Sequence, residues 1–367
     1  MEKRKELVRD TDYLLVIAIL VVCIFGLVIL RSASLSLTAG NRIMRSQTIA
    51  TGLGFVVMIV MSLIDYRVWK LLYKPIYGIS IVLLVATLIF GTEEYGAKSW
   101  LVIPGVMGFQ PSEFVKVGLI ISLAAYLENV KEDLNQPLVL VKVLAFALLP
   151  VGLIMLQPDA GTAMVYMFFI IAMLFIAGIR WKYIISTAVA AVVSAPVVWM
   201  FLLPHQQKRI LDFLNPTANI TTTGYQYLQG EIAIGSGKIT GKGLFQGSQT
   251  QFNFIPLKQN DFIFPVLAEE LGFLGGFALI VLYGFLILRL YKISKESVDS
   301  FGSLLVIGYA AMLLFHIWEN IGMTLGVMPI TGIPLPFFSA GGTFQLLNLG
   351  MMGLALSVAS HRNIKYF

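Results

Sequence analysis

The chain has 367 residues, of which 57% are hydrophobic and 13% are charged, and its mean hydropathy is +0.84. Soluble domains carry about 25% charged residues, so this composition excludes an ordinary soluble enzyme and indicates a membrane protein. The net charge of +6 does not indicate a nucleic-acid partner, because its distribution follows membrane topology. The single cysteine, Cys23, excludes a disulfide framework within one chain.

Apolar runs long enough to cross a bilayer recur along almost the whole chain. A bilayer core takes about 20 apolar residues per helix. We therefore predict an all-α polytopic membrane protein that forms one domain over 1–367, with about ten transmembrane helices. The predicted spans are 13–31, 47–63, 76–91, 113–128, 139–155, 161–178, 183–203, 262–288, 302–324 and 343–360.

The basic residues between these runs predict the orientation of the chain. They fall on alternate connections, as the positive-inside rule requires of cytoplasmic loops. Both termini are then cytoplasmic, and the longest connection, 204–261 between spans seven and eight, is extracytoplasmic. The first run is too long for a cleaved signal peptide and has no small-residue cleavage site. The basic residues concerned are Lys3, Arg4, Lys5, Arg9, Arg67, Lys70, Lys74, Arg180, Lys182, Arg289, Lys292, Lys295, Arg362 and Lys365.

Proline- and glycine-rich stretches collect in the connections assigned to the outer side. Non-helical backbone near a bilayer is tolerated where it lines a wet cavity or is buried in protein, so we expect a cavity that opens outward. These stretches are KSWLVIPGVMGFQPSEFVK (98–116), LQPDAGTA (156–163), KRILDFLNP (208–216), GEIAIGSGKITGKGLFQGSQTQFNFIP (230–256) and GIPLPFFSAGGT (332–343).

The fourth span begins with charged residues. Ser112 can cap this helix, and Glu113 and Lys116 lie three residues apart on one helix face. An unpaired charge at the centre of a span costs about 2.5–3.5 kcal/mol on insertion scales. Either the two residues only neutralise each other, or they serve a functional site. Asp159, at the start of the sixth span, is typical of an N-cap.

The glycine-rich stretch does not fit a phosphate-binding loop. A Walker loop needs Gly, four residues, and then Gly-Lys-Ser/Thr, but Ile232 and Ser236 occupy the position of the first glycine. The stretch is either a flexible surface loop or a segment that brings the mobile cations Lys238 and Lys242 to an anionic headgroup.

Asp261 stands directly before the eighth span. It could be an N-cap, although Asn260 offers a cap one residue earlier. Glu269 lies about 12 Å further along nearly the same helix face. His316 and Glu319, in the ninth span, could form a polar seam or contact a partner. Three histidines without an HExxH pattern give no support for a zinc site. A surplus of cations near Asp261 suits a phosphate-bearing lipid. These cations are Lys116, Arg209, Lys238, Lys242 and Lys258.

Together these motifs resemble the SEDS family (shape, elongation, division and sporulation), represented by RodA and FtsW, from Tyr13 to about His361. The stretches that carry the resemblance are W..IPG..FQPSEFVK, LQPDAGTA, R...FLNP, GYQ, AIGSGKITGKG...GSQ, DFIFPVLAEELGFLGG and GIPLPFFSAGG. The resemblance implies a peptidoglycan glycosyltransferase that polymerises lipid II on the outer face of the bacterial cytoplasmic membrane. It also implies a class B penicillin-binding protein as partner. The pattern favours the elongation member, RodA, and with it the other proteins of an elongation complex.

The resemblance also implies residue roles. The essential aspartate of the family corresponds to Asp261. The family often has Pro-Glu-x-His-Thr-Asp here, whereas this chain has Leu257 and Gln259 in place of Glu and His, so Asp261 would act without them. The candidates for substrate binding are Lys116, Glu113, Arg209, Trp100, Lys238, Lys242 and Ser339.

Two other functions and one cofactor question stay open at this point. A flippase for lipid-linked oligosaccharide predicts polar groups through the full membrane depth, whereas here they crowd the outer half. A non-catalytic scaffold for the penicillin-binding protein predicts that Asp261 can be substituted. Mg²⁺ or Mn²⁺ could bridge a pyrophosphate and a carboxylate, but no ligand cluster in the sequence demands a metal.

Overall fold

A computed structural model describes residues 11–94, 97–101, 108–215 and 223–361 and consists mainly of helices. The helices are α1 (Tyr13–Ser34), α2 (Gly40–Leu63), α3 (Arg67–Leu71), α4 (Tyr73–Phe90), α5 (Pro111–Asn129), α6 (Pro137–Met155), α7 (Ala160–Ala177), α8 (Trp181–Phe201), α9 (Pro204–Leu214), α10 (Thr223–Gly237), α11 (Ser248–Gln251), α12 (Ile263–Lys295), α13 (Ser300–Thr324) and α14 (Gly342–Ser360). After α4, the antiparallel strands β1 (Thr92–Glu94) and β2 (Ala97–Trp100) form a small hairpin.

Each predicted apolar run coincides with a helix, which confirms the polytopic helical fold class. Within the described residues, eight helices are long and apolar enough to cross a membrane: α1, α2, α4, α6, α7, α12, α13 and α14. The other two predicted spans correspond to α5, which carries charged residues, and to α8, most of whose described side chains are exposed.

The core of the bundle lies around α13 and α14, which are buried along most of their length. α14 packs against α2, and α13 packs against α7 and α12. Small residues permit the close approach of α2 and α14: a Cβ on Gly353 would lie 2.4 Å from the carbonyl oxygen of Met58. Close backbone contact of this kind is how membrane helices associate without a hydrophobic driving force between them.

Ion pairs join several helix ends at one end of the bundle, which we call the basic end. Arg67 pairs with Asp299 at 3.1 Å, and Lys70 pairs with Glu128 at 2.6 Å. Arg289 pairs with Asp12 near the start of α1. Three of the loops that the sequence predicted to be cytoplasmic therefore meet at this end of the bundle. The terminal residues Lys3, Arg4, Lys5, Arg9, Arg362 and Lys365 lie outside the described residues.

In its described residues, 204–215 and 223–261, the long connection is more ordered than the sequence predicted. It contains α9, α10 and α11, and the GSGK motif is the end of α10 rather than part of a flexible surface loop. α10 runs alongside the start of α12 in the same direction, because Gly230 contacts Phe262 and Gly237 contacts Ala268. A Cβ on Gly237 would lie 1.9 Å from the carbonyl oxygen of Ala268, so this approach requires glycine.

The residues after α10 fill a break in α12. Gly272 has φ 65° and ψ −161°, which interrupts the helical hydrogen bonds there. The carbonyl of Lys238 accepts from Phe273 N–H at 2.8 Å, and Lys242 N–H donates to the carbonyl of Glu269 at 3.0 Å. Backbone groups of the preceding connection therefore replace the hydrogen bonds that are lost at the break. Polar backbone groups buried near a bilayer need such partners.

Two consecutive glutamates of α12 accept hydrogen bonds from this same connection. The fully buried Glu269 carboxylate accepts from the N–H groups of Gln249 and Thr250 at 2.8 and 3.0 Å. Glu270 accepts from Phe245 N–H at 3.0 Å. The prediction that Glu269 and Asp261 lie on nearly the same helix face is wrong, because the helix begins at Ile263, after Asp261. The Glu269 carboxylate instead holds the connection.

Candidate active site

A cavity of about 730 Å³ lies at the end of the bundle opposite the basic end. Its walls come from β2, the starts of α5 and α7, the helices α9 and α10, and the segments 256–261 and 329–334. The far end of α5 reaches the basic end through Glu128. Protein ligand pockets have volumes of about 300–1,000 Å³, so this cavity is large enough to bind a ligand.

Five of the eight predicted site residues line this cavity. They are Trp100, Glu113, Lys116, Arg209 and Asp261. These residues come from a strand, two helices and a turn, and only the tertiary fold brings them together.

Asp261 lies in a turn and does not cap a helix. α12 begins at Ile263, and Phe262 occupies the N-cap position without a side-chain hydrogen bond. Neither Asn260 nor Asp261 therefore acts as the cap that the sequence suggested. Gly332 lies beside the carboxylate: a Cβ on this residue would lie 3.3 Å from Asp261 Oδ2.

The environment of Asp261 makes its carboxylate more basic. Burial raises the pKa of Asp261 from 3.8 to about 6, while the positive charge of Arg209 opposes this increase. Among the described residues, no side chain or backbone N–H donates a hydrogen bond to this carboxylate. A carboxylate with a pKa near 6 is largely ionised at neutral pH and accepts a proton readily, which suits a general base.

Lys116 is held in the cavity wall by two partners. Its Nζ lies 2.7 Å from Glu113 Oε1 and 3.2 Å from His316 Nε2. His316 Nδ1 lies 3.3 Å from the carbonyl oxygen of Pro334, so Nδ1 carries the proton and Nε2 accepts from lysine. The ammonium has three N–H donors. Two of them are used here, which leaves one for a ligand.

The same ammonium lies 5.5 Å from the centre of the Phe344 ring. The charge is therefore partly stabilised by an aromatic face as well as by Glu113. The hypothesis that Glu113 and Lys116 neutralise each other describes the ion pair correctly, but both residues also line the cavity.

Asp159 is the N-cap of α7, as predicted. Its Oδ1 accepts from Thr162 N–H at 3.0 Å, and its Oδ2 accepts from the Thr162 hydroxyl at 2.9 Å. The Gln110 side chain also donates to Oδ2 at 3.1 Å. Ser112, by contrast, is not a cap: Gln110 occupies that position in α5, and the buried Ser112 hydroxyl has no partner among the described residues.

Four residues predicted near the site do not contribute to the cavity wall. Lys238 is exposed at the end of α10, and Lys242 pairs with Glu269 at 2.7 Å. Lys258 is buried against Ser36 and Asn253, and its burial lowers the pKa of its ammonium to about 8. Ser339 is buried and uses its hydroxyl within the protein. None of the four lines the cavity.

Sequence reasoning found His316 and Glu319 but missed Asn320 on the same side of α13, which supports the cavity wall. Thr331 donates to Glu319 Oε1 at 3.0 Å, and Asn320 donates to the carbonyl of Ile333 at 2.7 Å. His316, Glu319 and Asn320 are spaced by three and four residues, which places them on one helix face. That spacing and the stretch at 332–343 were both visible in the sequence, but the hydrogen bonds that join them were not.

The described residues contain no group of three or more His, Cys, Asp or Glu side chains placed to bind a metal ion. Within the described cavity wall, an ion would need ligands from a bound substrate as well as from the protein.

Comparison with known proteins places this architecture in a family. A family profile described as "Cell cycle protein", which covers FtsW, RodA and SpoVE, matches residues 12–364. The peptidoglycan glycosyltransferase MrdB of Escherichia coli is 35% identical over 315 residues, covering 85% of this chain and 84% of its own. Stage V sporulation protein E of Bacillus subtilis is 33% identical, covering 95% and 97%.

Comparison with solved structures indicates the same family. A chain from a study of polymerization and crosslinking by a peptidoglycan synthase complex superimposes with a TM-score of 0.82 at 31% identity, covering 97% of this chain and 99% of its own. The Thermus thermophilus rod shape determining protein RodA gives a TM-score of 0.73 at 30% identity, covering 97% and 98%. The chain therefore belongs to the SEDS family of FtsW, RodA and SpoVE proteins.

Proposed function

We propose that this chain is a peptidoglycan glycosyltransferase that polymerises lipid II. The observation that carries this proposal is the Asp261 carboxylate, whose pKa is raised to about 6 in a cavity that also contains Lys116 and Arg209. The other two carboxylates of the described cavity wall are engaged, because Glu113 pairs with Lys116 and Asp159 caps α7. Relatives named peptidoglycan glycosyltransferase support the same activity.

The reaction joins the 4-hydroxyl of an acceptor sugar to the anomeric carbon of a donor sugar. Asp261 takes the hydroxyl proton as the new bond forms, a role worth about 10²–10⁴ in rate. The bond from the anomeric carbon to the pyrophosphate oxygen breaks, and the pyrophosphate lipid leaves with that electron pair. Because this leaving group is already good, the second carboxylate of a hydrolytic glycosidase is not needed.

The cations of the cavity stabilise the charge that develops on the leaving group. Lys116 offers its remaining N–H, and Arg209 offers a planar guanidinium that matches phosphate oxygens. Fixed donors of this kind act without reorganising during the reaction. Glu113 and His316 keep the ammonium in place, and Trp100 supplies an aromatic face at the cavity wall.

The setting of the reaction is part of the proposal. We assign the cavity to the outer side of the bacterial cytoplasmic membrane, with both termini in the cytoplasm, because the basic end lies opposite. A class B penicillin-binding protein is the proposed partner, consistent with a structural relative from a peptidoglycan synthase complex. We assign the chain to cell elongation, which its similarity to MrdB and RodA supports.

A divalent cation is a separate proposal. Mg²⁺ is usually held by one or two carboxylates together with substrate phosphates, and both Asp159 and Asp261 line the cavity. An ion bound there would neutralise pyrophosphate charge. Activity that survives complete chelation of divalent ions would exclude this role.

The experiment that tests the proposed function is a reconstitution of the purified protein into liposomes with lipid II, with and without a class B penicillin-binding protein. We expect glycan strands, detected by gel electrophoresis after labelling. Movement of the headgroup across the bilayer without glycan would instead indicate a flippase. Partner binding without either activity would indicate a scaffold.

A further inference from the structure

The turn that carries Asp261 is held by its own backbone carbonyls. Three consecutive carbonyl oxygens, at residues 259, 260 and 261, each accept a hydrogen bond from outside the turn. Ala340 N–H donates to Gln259 at 2.8 Å, the Ser339 hydroxyl donates to Asn260, and Asn320 Nδ2 donates to Asp261 at 2.9 Å. Rotation of any of these three peptide groups would therefore break a hydrogen bond.

Asn320 joins this turn to the opposite part of the cavity wall. Its Nδ2 also donates to the carbonyl of Ile333 at 2.7 Å, next to Gly332. Asn320 is fully buried, and it does not line the cavity. Its Oδ1 is buried without a partner among the described residues, and such a group costs about 1–3 kcal/mol. The amide is thus oriented for its two donor bonds alone.

The turn itself is strained. Leu257 has φ 51°, a left-handed conformation that costs a non-glycine residue about 1–3 kcal/mol and persists only when the surroundings enforce it. The carbonyl of Leu257 accepts from Asn260 N–H at 2.9 Å, so the strained residue belongs to the same turn that Asn320 and Ser339 hold. Ser339 is itself fixed, because its hydroxyl accepts from Leu335 N–H at 2.8 Å.

We propose that Asn320 and Ser339 are positioning residues that fix the carboxylate of Asp261 between the turn and Gly332. This inference rests on the proposed function, because positioning matters only if Asp261 is the base. Neither side chain needs to touch the substrate, and this replaces the sequence-based prediction that Ser339 binds substrate.

The test uses the full chain with its partner and measures kcat and KM for lipid II. Asn320→Leu and Ser339→Ala should lower kcat about 10- to 100-fold, the effect of a displacement near 1 Å, and should leave KM within about twofold of its wild-type value, because neither residue lines the cavity. The matched control is Asn348→Leu, a buried asparagine on α14 whose side chain donates to its own helix. It should reduce thermal stability without lowering kcat.

Asn320→Asp gives a readout that a purely structural role would not move. The ionised carboxylate has no proton to donate and faces two carbonyl oxygens, whereas the protonated form donates one bond. The kcat of Asn320→Asp relative to wild type should therefore rise at least about threefold as the pH falls from about 8 to about 6.5. The same ratio for Asn320→Leu should stay constant. If Asn320→Leu does not purify as a monodisperse protein, Asn320→Asp decides alone.

The combined variant completes the test. Because both residues hold one turn, the loss in kcat for Asn320→Leu with Ser339→Ala should be smaller than the product of the two single losses. Wild-type kcat in both single variants, or wild-type kcat for Asn320→Asp at pH 8, overturns the positioning role. A wild-type protein that makes no glycan overturns the proposed function instead, so the two failures are distinguishable.

Discussion

Replacing Asp261 by asparagine should abolish activity and stabilise the fold at the same time. Burial raises the pKa of this carboxyl from 3.8 to about 6, so the folded state binds the proton more tightly than the unfolded state does. The free energy of unfolding therefore falls as the pH rises from about 4 to about 6. The difference in pKa corresponds to a loss of about 3 kcal/mol in the free energy of unfolding. This is an upper bound, because the side chain is partly exposed to the cavity. Asparagine carries no charge and avoids this cost.

The assay is the apparent Tm of the detergent-solubilised protein at several pH values. At pH 8 the Tm of Asp261→Asn should exceed that of wild type, the difference should shrink between pH 6 and pH 4, and it should vanish below pH 4. The control is Glu132→Gln, which alters an exposed carboxylate and should not change the Tm in this way. Equal Tm values for Asp261→Asn and wild type at pH 8 would refute the argument that the carboxylate is desolvated.

Further predictions concern the same cavity and its supports. The polymerisation rate should fall as the pH drops below about 6, because Asp261 must be ionised to accept a proton; a rate that is constant down to pH 5 would contradict this role. Lys116→Ala should raise KM for lipid II and destabilise the fold by about 3–5 kcal/mol, because it leaves Glu113 buried and unpaired; Lys116→Met with Glu113→Gln should recover the Tm but not the activity, and recovery of both would refute the electrostatic role. Gly332→Val, at φ 80° and 3.3 Å from the Asp261 carboxylate, should lower kcat at least tenfold, whereas Gly152→Ala, which meets only open space, should not; equal rates would show that Asp261 tolerates crowding. Glu269→Gln should increase proteolysis between α10 and α12, because hydrogen bonds to a charged group contribute about 1.5–3 kcal/mol each; an unchanged digestion pattern would contradict its supporting role.

The sequence predicted the helices well because membrane spans depend on local composition. Each of the ten apolar runs contains a helix, and the N-cap role of Asp159 follows from its neighbours alone. The cavity could be predicted only in part. Glu113, Lys116, Arg209 and Asp261 were found because charged residues are unusual at the ends of membrane spans, and Trp100 was found through the family motif.

The rest depends on contacts between distant parts of the chain. Lys242 and Lys258 looked like free cations in a loop, but the fold pairs the first with Glu269 and buries the second. Asn320 shares its helix face with His316 and Glu319, but the sequence does not show what it binds. Its role arises from two carbonyls that lie 59 and 13 residues away along the chain. Backbone acceptors such as these carry no sequence signature at all.

The most direct test of the account compares glycan synthesis by wild type and Asp261→Asn, each purified with the class B partner and supplied with lipid II at pH 7.5. The account predicts that the variant folds, binds the partner and makes no detectable glycan, while wild type forms long strands. Glycan synthesis by Asp261→Asn at the wild-type rate would contradict the assignment of this carboxylate as the base.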